Sequence, residues 1–538
     1  MIRRITFLSP ALFALLNFTN NASAQMFTPG NIVVEQVGDG TSALASGVAA
    51  PLFLVEYSAT GTLTNSVALP VAGPNVITTS GTATSEGNIS LSANGRYIIV
   101  PGYNALPGTT GLTSTTSATV ARVTGQVDAS GTYSMPSVTN TYFSGNNIRG
   151  AASDGNNNYW ATGANTGACY FGTGTPAIVY STNTNNRAMA VYNGNLMFSA
   201  GAGTRGIYQF TGMPTTASAA SLILPLTGSP YQFAINSTST ILYVADDASF
   251  TSTSSQAGGI EKFTWNGSAW VFQYTLQCGN ASTAGARGLV VDFSGTNPVV
   301  YASTAESSSN RIISITDAGA SSGSSATLLA TAATNTIFRG LAFSPCSPPS
   351  ITTVSSNSPV CSGSTLNLSS AVTGSAPLTY SWTGPNSFSG NTANPSISSV
   401  TTAAAGTYML NLSNACGSAS QNTTVVVNTP PSITTITNTS PVCSGSDINF
   451  NSAASGSAPL TFSWTGPNSF SSNSATPSIT GATPLANGIY TLTVTNGCGS
   501  DMQTTVAFAS LPVASTTSQT DVTCNGANDG TASVTVSG

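Results

Sequence analysis

The 538-residue chain is poor in charge: 5% of its residues are Asp, Glu, Lys or Arg, histidine is absent, and the formal net charge is −5. Nucleic-acid binding is excluded, because phosphate neutralisation needs clustered Lys and Arg. Without histidine the chain cannot form a Ser-His-Asp or Cys-His catalytic device, or a zinc site that uses His. Aliphatic and aromatic residues alternate with polar ones in short runs, which favours a folded β protein over a disordered chain.

The N-terminus has the pattern of an export signal. Arg3 and Arg4 precede a short apolar core over 7–16, and Ala22-Ser23-Ala24 offers a cleavage site, so residues 1–24 are predicted to be a signal peptide. The apolar core is shorter than the roughly 20 residues that span a bilayer, and no later segment is long and apolar enough to do so. Removing the signal leaves 9 basic residues (11 minus 2) against 16 acidic ones, a net charge near −7. We expect a secreted or cell-surface protein with no membrane span in the visible chain.

Residues 27–346 contain a loose repeat, in which a charged or polar residue and a small one precede a short apolar strand and a turn. Its instances begin at Glu86, Arg149, Arg187, Gln232, Arg287 and Arg339. Four-stranded repeats of about 40 to 60 residues are typical of propeller blades. The last repeat stops after one strand at Phe343, whereas residues 32–37, 52–57 and 63–69 supply three strands. One C-terminal strand and three N-terminal strands make a closing blade, so the sequence predicts a six-bladed β-propeller.

The candidate ligand site is formed by the residues that begin the innermost strands. Arg149, Arg187, Arg287 and Arg339 occupy the same place in their repeats, and Glu86 occupies the matching place. Radial repetition would bring these residues around one end of a central channel. In one interpretation each guanidinium bonds carbonyls of the neighbouring blade and fixes its register. In the other the arginines capture an anionic or sugar-acid group, so that Arg287→Ala and Arg339→Ala weaken binding without loss of stability.

Two further sets of residues in this domain have structural and functional interpretations. The aspartates lack the spacing of a calcium loop and are expected to serve turns rather than bind metal; they are Asp154, Asp246, Asp247 and Asp292. The aromatic residues could stack on sugars but are expected to be core or cross-strand pairs; they are Tyr159, Trp160, Trp265 and Trp270. We predict no metal site, no catalytic residue and no cofactor. The domain resembles secreted bacterial propellers that carry Gly-Thr-Ala-Thr-Ser-Glu-Gly, here at 81–87.

A tandem repeat with an offset of 82 residues follows. Pro-Val-Cys-Ser-Gly-Ser recurs at 359–364 and 441–446, and Ser-Trp-Thr-Gly-Pro-Asn-Ser-Phe recurs at 381–388 and 463–470. Paired prolines at 348–349 and 430–431 set the boundaries, which gives copies over 348–429 and 430–511. About 80 residues, alternating strands and one Trp per copy predict small β-sandwiches. They resemble immunoglobulin-like or PKD-like domains, on Trp382, Trp464 and the Gly-x-Tyr entries at 406–408 and 488–490.

The eight cysteines of an exported chain are expected to form disulfides. We predict one within each copy, Cys361 with Cys416 and Cys443 with Cys498, each closing a 55-residue span. The remaining cysteines are not assigned: Cys524 is left single, and at least one of three others stays free, these being Cys169, Cys278 and Cys346.

Residues 512–538 carry the pattern Cys-Asn-Gly-x-x-Asp-Gly and resemble the opening of an SprB-type repeat, named for a gliding-motility adhesin of bacteria. That resemblance implies type IX secretion. The sequence as a whole suggests a non-enzymatic adhesin-like protein: a monomeric head binds a surface glycan or an extracellular protein, and the two copies act as spacers. A tethered propeller hydrolase or lyase and a purely structural stalk remain open.

Overall fold

The computed structural model describes residues 27–537 except 255, 257, 280–283, 322–323 and 521–529. The predicted signal peptide and Cys524 lie outside the described residues. Every long element is a β-strand, as expected for an all-β chain; 3-10 turns occur at Thr402–Ala404 and Pro484–Ala486. The chain divides into two compact units. The first comprises residues to Pro348 with Gly374–Pro377 and Asn414–Gly417, and the second comprises Pro349–Thr373, Leu378–Ser413 and the residues from Ser418 onward.

The first unit is a series of antiparallel sheets. The first eight strands are β1 (Ile32–Val37), β2 (Ala49–Tyr57), β3 (Leu63–Ala68), β4 (Thr78–Ser80), β5 (Ser90–Leu91), β6 (Tyr97–Tyr103), β7 (Arg122–Asp128) and β8 (Tyr133–Thr139). The next eight are β9 (Ile148–Ser153), β10 (Tyr159–Gly163), β11 (Ala168–Phe171), β12 (Ala177–Tyr180), β13 (Asn186–Tyr192), β14 (Asn195–Ala200), β15 (Gly206–Phe210) and β16 (Ala220–Pro225). The last nine are β17 (Pro230–Ile235), β18 (Ile241–Asp246), β19 (Gly259–Trp265), β20 (Trp270–Leu276), β21 (Ala286–Asp292), β22 (Val299–Thr304), β23 (Arg311–Thr316), β24 (Ala326–Thr331) and β25 (Ile337–Phe343).

Each run of four strands from β9 onward forms its own sheet: β9–β12, β13–β16, β17–β20 and β21–β24. The remaining strands form one sheet in the order β25-β1-β2-β4-β6-β7-β8, with β3 on β2 and β5 on β6. The pairing of the last strand with the first is confirmed, since Phe343 lies opposite Ile32 and Ile337 opposite Val37.

The first strands of successive sheets contact one another. Contacts join β5 to β9, β9 to β13, β13 to β17, β17 to β21, β21 to β25, and β25 back to β5. Apolar residues fill the spaces between neighbouring sheets. Trp160 of β10, for example, lies in one core cluster with Met189 of β13 and Phe198 of β14. Burial of both faces explains why these strands have continuous apolar runs as well as alternating ones.

The second unit contains the tandem copies. The first copy has β26 (Ser350–Ser356), β27 (Val360–Cys361), β28 (Leu366–Thr373), β29 (Thr379–Gly384), β30 (Phe388–Gly390), β31 (Ser396–Ile397), β32 (Gly406–Asn414), β33 (Gly417–Val425) and β34 (Val427–Asn428). The second has β35 (Ser432–Asn438), β36 (Val442–Cys443), β37 (Ile448–Ser455), β38 (Thr461–Gly466), β39 (Phe470–Ser472), β40 (Ser478–Ile479), β41 (Gly488–Asn496), β42 (Gly499–Ala507) and β43 (Ala509–Ser510). The tail forms a hairpin of β44 (Val513–Thr520) and β45 (Thr531–Ser537).

Each copy is a sandwich of a three-stranded and a four-stranded sheet. In the first, β26-β28-β31 faces β30-β29-β32-β33, and in the second β35-β37-β40 faces β39-β38-β41-β42. The shared cores contain Trp382 and Trp464, both fully buried. The tyrosine of each Gly-x-Tyr entry is also buried and bonds backbone four residues upstream: Tyr408 donates to the carbonyl of Ala404 at 2.9 Å, and Tyr490 to that of Ala486 at 2.7 Å.

The predicted disulfides within the copies are wrong. The bonds are Cys346–Cys416 and Cys361–Cys498, with Cα separations of 6.0 and 5.5 Å. In the second copy Cys443 is the strand-pairing partner of Ser510, which follows β42, whereas Cys498 immediately precedes β42. A strand rises about 3.3 Å per residue, so the nine residues of β42 span about 30 Å. This length is far beyond the roughly 7 Å limit between the Cα atoms of a disulfide.

The first copy has the same plan. Cys416 precedes β33, and Cys361 pairs beside Asn428, which follows it. The two cysteines of a copy therefore lie at opposite ends of one strand, and the Cys361–Cys498 bond links one copy to the next. Cys443 is free and exposed. Cys169 and Cys278 are free and buried, which confirms that one or more of the three unassigned cysteines stays reduced.

Candidate functional site

Glycine or alanine follows each candidate residue because the first strands of the sheets approach one another closely. A Cβ at Gly150 would lie 2.5 Å from the Arg187 carbonyl oxygen, and one at Gly288 would lie 2.4 Å from that of Arg339. Gly340 faces the Gly87 carbonyl in the same way, at 2.4 Å. The residues before these glycines therefore occupy matching positions on neighbouring first strands, where those strands come closest. The sequence shows the repeated Arg-Gly pair, and the close approach supplies its cause.

The sequence repeat placed Gln232 at the position of the arginines. The strand register shows that Gln232 lies one residue after that position. In β17 Pro230 pairs with Asp246 in the way that Ala286 of β21 pairs with Thr304. Tyr231 is thus the counterpart of Arg287, and Gln232 is the counterpart of Gly288. One long side chain takes the place that elsewhere admits only a small residue.

The Gln232 amide joins its own sheet to strands of others. Its Nε2 donates to the carbonyls of Ile89 (2.7 Å) and Leu341 (3.0 Å). Its Oε1 accepts from the amides of Leu289 (2.9 Å) and Leu341 (2.8 Å). Asn88 acts similarly, donating to the carbonyls of Arg149 and Arg187. Both amides close the space between the strands just beyond the arginines.

Arg339 and Glu86 are buried beside each other. Arg339 is 3% exposed and donates to Thr79 Oγ1 at 2.8 Å and to the carbonyls of Ser80 and Gly81. Glu86 is also 3% exposed and lies 4.0 Å from the Arg339 guanidinium. Contrary to the expectation from sequence, we predict that Arg339→Ala lowers stability, because the substitution would leave a buried carboxylate without its counter-charge.

The Glu86 carboxylate has a full set of donors. It accepts from Thr79 Oγ1 (2.8 Å), the Ser80 amide (3.0 Å) and the Tyr103 hydroxyl (3.0 Å). Behind this pair, Glu35 is completely buried and neither carboxylate oxygen has a hydrogen-bond partner among the described residues. Burial raises the pKa of Glu35 to about 7, against the opposing effect of Arg339.

The other three arginines are partly exposed. We call Arg149, Arg187 and Arg287, with Tyr231 and Asp247, the arginine cluster. Arg187 lies over the Tyr231 ring at 4.1 Å from its centroid, and Arg287 lies at 5.9 Å. Asp247 lies 3.8 Å from Arg187 Nη1 and 3.4 Å from Arg287 Nε. Two guanidinium groups, those of Arg187 and Arg287, thus share one carboxylate.

Each arginine of the cluster also contacts a neighbouring sheet. Arg149 donates to Asn185 Oδ1 and to the Asn186 carbonyl, and Arg187 donates to Ser229 Oγ at 2.6 Å. These contacts agree with the interpretation in which the arginines fix the register. Arg187 Nε, however, is buried without a hydrogen-bond partner in the described part of the chain. Three arginines and one aspartate give the cluster an excess of positive charge. Burial, and then the charge of Arg187, lower the pKa of Arg149.

The aspartates serve turns, as predicted, except for Asp247. Asp154 Oδ1 accepts from the amide of Asn156, Asp292 from Ser294, and Asp246 from Ala248. No group of three or more Cys, Asp or Glu suited to a metal occurs among the described residues.

The aromatic residues pack as core or cross-strand pairs, also as predicted. Tyr159 and Trp160 are buried, and Trp265 pairs across the β19–β20 hairpin with Trp270, their rings 5.7 Å apart. Tyr231 lies at the start of its strand in the place that arginine takes in other repeats, although its residue type gave no signal in the sequence.

Sheets and repeated sandwiches define an all-β, multidomain protein. Neither a protein-family model nor a curated protein sequence matches it. Among solved structures, a titin I-band fragment, I67–I69, is similar at 20% identity and TM-score 0.28, over 31% of this chain and 66% of that chain. Immunoglobulin domains 1–4 of Sidekick-1 are similar at 11% identity and TM-score 0.25, over 52% of this chain and 92% of that one. Dpr11 IG1 bound to DIP-gamma is similar at 15% identity and TM-score 0.23, covering 30% and 98%. The strand pairing of the copies themselves defines their sandwich architecture.

Proposed function

We propose that the protein is an extracellular adhesin-like binding protein in which a β-propeller head holds the ligand and the two copies space it from its anchor. Six groups of four strands support a six-bladed propeller. Four are separate sheets; the others are β5–β8 and the group of β25, β1, β2 and β3. The contacts of their first strands run from β5 to β25 and return to β5. The pairing of β25 with β1 is the closure expected of such a head.

The spacer role is supported by the plan of the copies. A buried Trp in a central strand and a Tyr whose hydroxyl bonds upstream backbone are features of immunoglobulin-like sandwiches. Cys361–Cys498 adds a covalent link from copy to copy, which limits bending along the array. We infer export through residues 1–24 by the type IX route, with residues 512–538 beginning an SprB-type repeat. Disulfides fit an oxidising, extracellular setting. Among the described residues, no helix is long and apolar enough to cross a membrane.

The ligand proposed for the head is an anionic or sugar-acid group of a surface glycan or extracellular protein. The observation that carries this proposal is the arginine cluster, where two of the three partly exposed guanidiniums, those of Arg187 and Arg287, share Asp247 in a chain with 5% charged residues. A planar guanidinium donates two parallel hydrogen bonds to a carboxylate. The Tyr231 ring orients Arg187 and Arg287, which reduces the entropy lost when a ligand binds.

A binding function is favoured over the hydrolase or lyase alternative by the places of the three carboxylic acids with raised pKa in the described part of the chain, Glu35, Glu261 and Asp246, all of which are buried. Burial raises the pKa of Glu35 to about 7 and that of Glu261 to about 8. Both would be suited to proton transfer near neutral pH. Their exposed fractions are 0% and 1%, so neither is accessible to a substrate in this conformation.

The test is a glycan and matrix-protein array probed with the full mature chain. We expect binding to acidic glycans, and a loss of about tenfold or more in affinity for Arg187→Gln and for Arg287→Gln, since a charge-assisted hydrogen bond contributes about 1.5–3 kcal/mol. Arg96→Gln is the matched control. Arg96 lies in the turn between β5 and β6, at the end of β5 opposite to the end that follows Glu86. Unchanged binding with a large loss of stability would make the cluster purely structural. Turnover of the bound glycan would favour the hydrolase or lyase, and no binding to any probe would favour a structural stalk.

A further inference from the structure

A cavity of about 590 Å³ lies within the first unit, beyond the Gln232 amide as the strands run away from the arginine cluster. Its wall comes from the first strands of several sheets and from the short segment 415–417, which belongs to the same unit. Four aromatic side chains line it: Tyr192, Phe233, Phe293 and Phe343. The volume and lining match those of sites that hold small organic molecules.

The polar side chains at the cavity already have partners. The Tyr192 hydroxyl donates to the Phe233 carbonyl at 2.8 Å, and Ser90 Oγ donates to the Ala151 carbonyl at 2.7 Å. Gln232 uses both of its amide atoms on backbone. Ser92 Oγ donates to Asn94 Oδ1 at 2.9 Å. Water placed here would find few free partners, and an apolar cavity with few polar partners binds apolar molecules readily.

The charge of the wall points the same way. Its described lining residues include no Asp, Glu, Lys or Arg, and Cys416 is held in a disulfide. An ionic group would lose its hydration against this wall without gaining a counter-charge from it, which is unfavourable in a low-dielectric site. The occupant must therefore be uncharged.

The wall is held in place and retains an opening. Cys346–Cys416 fixes the segment 415–417, and the Cys346 amide donates to the Gly95 carbonyl at 2.9 Å. Ala93 and Ala415, at the rim, are exposed, whereas Ala234 and Leu289, deeper along their strands, are buried. A ligand could enter at the rim while the buried wall keeps its shape.

We propose that this cavity is a binding site for an uncharged apolar small molecule, separate from the arginine cluster. The apolar wall supplies the binding free energy, because binding removes apolar surface of the ligand and of the wall from water. The aromatic rings add edge and face contacts with an aromatic or aliphatic ligand. The inference does not depend on the proposed binding of acidic glycans.

The experiment titrates the full mature chain with N-phenyl-1-naphthylamine, an uncharged probe whose fluorescence rises in apolar surroundings. We expect saturation at one probe per chain. Ala190→Phe, which places a ring in the cavity, should weaken binding at least tenfold. Ala320→Phe, at an exposed loop position, is the matched control and should leave affinity unchanged. The double variant Arg187→Gln/Arg287→Gln should also bind the probe normally, so failure here and failure at the arginine cluster give different patterns.

Two results would overturn the proposal. One is the absence of saturable binding to the wild-type chain; the other is wild-type affinity in Ala190→Phe. Circular dichroism and thermal unfolding establish that the variant is folded. If Ala190→Phe does not fold, Ala93→Trp decides: this exposed rim position tolerates a large side chain, and the substitution should slow probe entry or weaken binding at least tenfold. Unaltered rates and affinity in Ala93→Trp would then refute the site.

Discussion

Replacing Gln232 by methionine tests how the first unit is held together at its centre. The substitution keeps the length of the side chain but removes its hydrogen bonds to Ile89, Leu289 and Leu341. Four bonds are lost, and a typical intramolecular hydrogen bond contributes about 1 kcal/mol, so we expect a loss of about 4 kcal/mol in the free energy of unfolding. The loss is large because the freed backbone groups stay buried.

Urea unfolding combined with hydrogen exchange is the suitable assay, since a multidomain chain does not unfold in one step. Exchange should accelerate in peptides that contain β5, β21 and β25. Gln273→Met is the control: the Gln273 side chain is exposed and donates to the nearby Val271 carbonyl at 3.1 Å, so its change should stay within about 0.5 kcal/mol. Gln232→Met unfolding within about 1 kcal/mol of wild type, with unaltered exchange, would refute the role assigned to this amide.

Three further outcomes are expected. The stability of Glu35→Gln relative to wild type should rise by about 3 kcal/mol from pH 4 to pH 8. The folded pKa of Glu35, about 7, lies above the unfolded value of 4.5, so wild-type stability falls as the pH rises between these values. If urea titrations give the same stability difference at every pH in this range, the burial of Glu35 is contradicted. Lys262→Met should lower the free energy of unfolding by about 3–5 kcal/mol, since Lys262 lies 2.7 Å from the buried Asp317 carboxylate. Burial alone would raise the pKa of Asp317, but hydrogen bonds led by that of Lys262 hold the pKa below its ordinary value. The stability from this pair is therefore present above the unfolded pKa and should be lost in acid, which calorimetry at pH 2 to 7 can show. Iodoacetamide should modify Cys443 in the native, unreduced protein but neither Cys169 nor Cys278; peptide mapping that finds Cys443 protected would contradict its exposure.

The pattern of residues along the chain was sufficient to predict the strands and the pairing of β25 with β1. Alternation of apolar and polar residues predicted the strands of the copies, and the missing strands at the end of residues 27–346 predicted that β25 pairs with β1. Both inferences depend only on the period-two geometry of a strand and on counting strands per repeat. Turn aspartates such as Asp154 and Asp292 were also predictable, because their hydrogen bonds are to residues two positions away.

The tertiary structure decided what depends on distance between remote segments. Cys361 and Cys416 look like partners in sequence, yet one strand separates them, and Cys498 of the next copy lies close enough instead. The repeated arginines look equivalent, yet Arg339 is buried against Glu86 whereas Arg187 and Arg287 remain partly exposed around Asp247. Sequence alone determined the strands, because a strand's pattern is local. Only the tertiary structure decided the cross-links, the place of Gln232 and the accessible arginines, because burial and reach are set by neighbours far away in the chain.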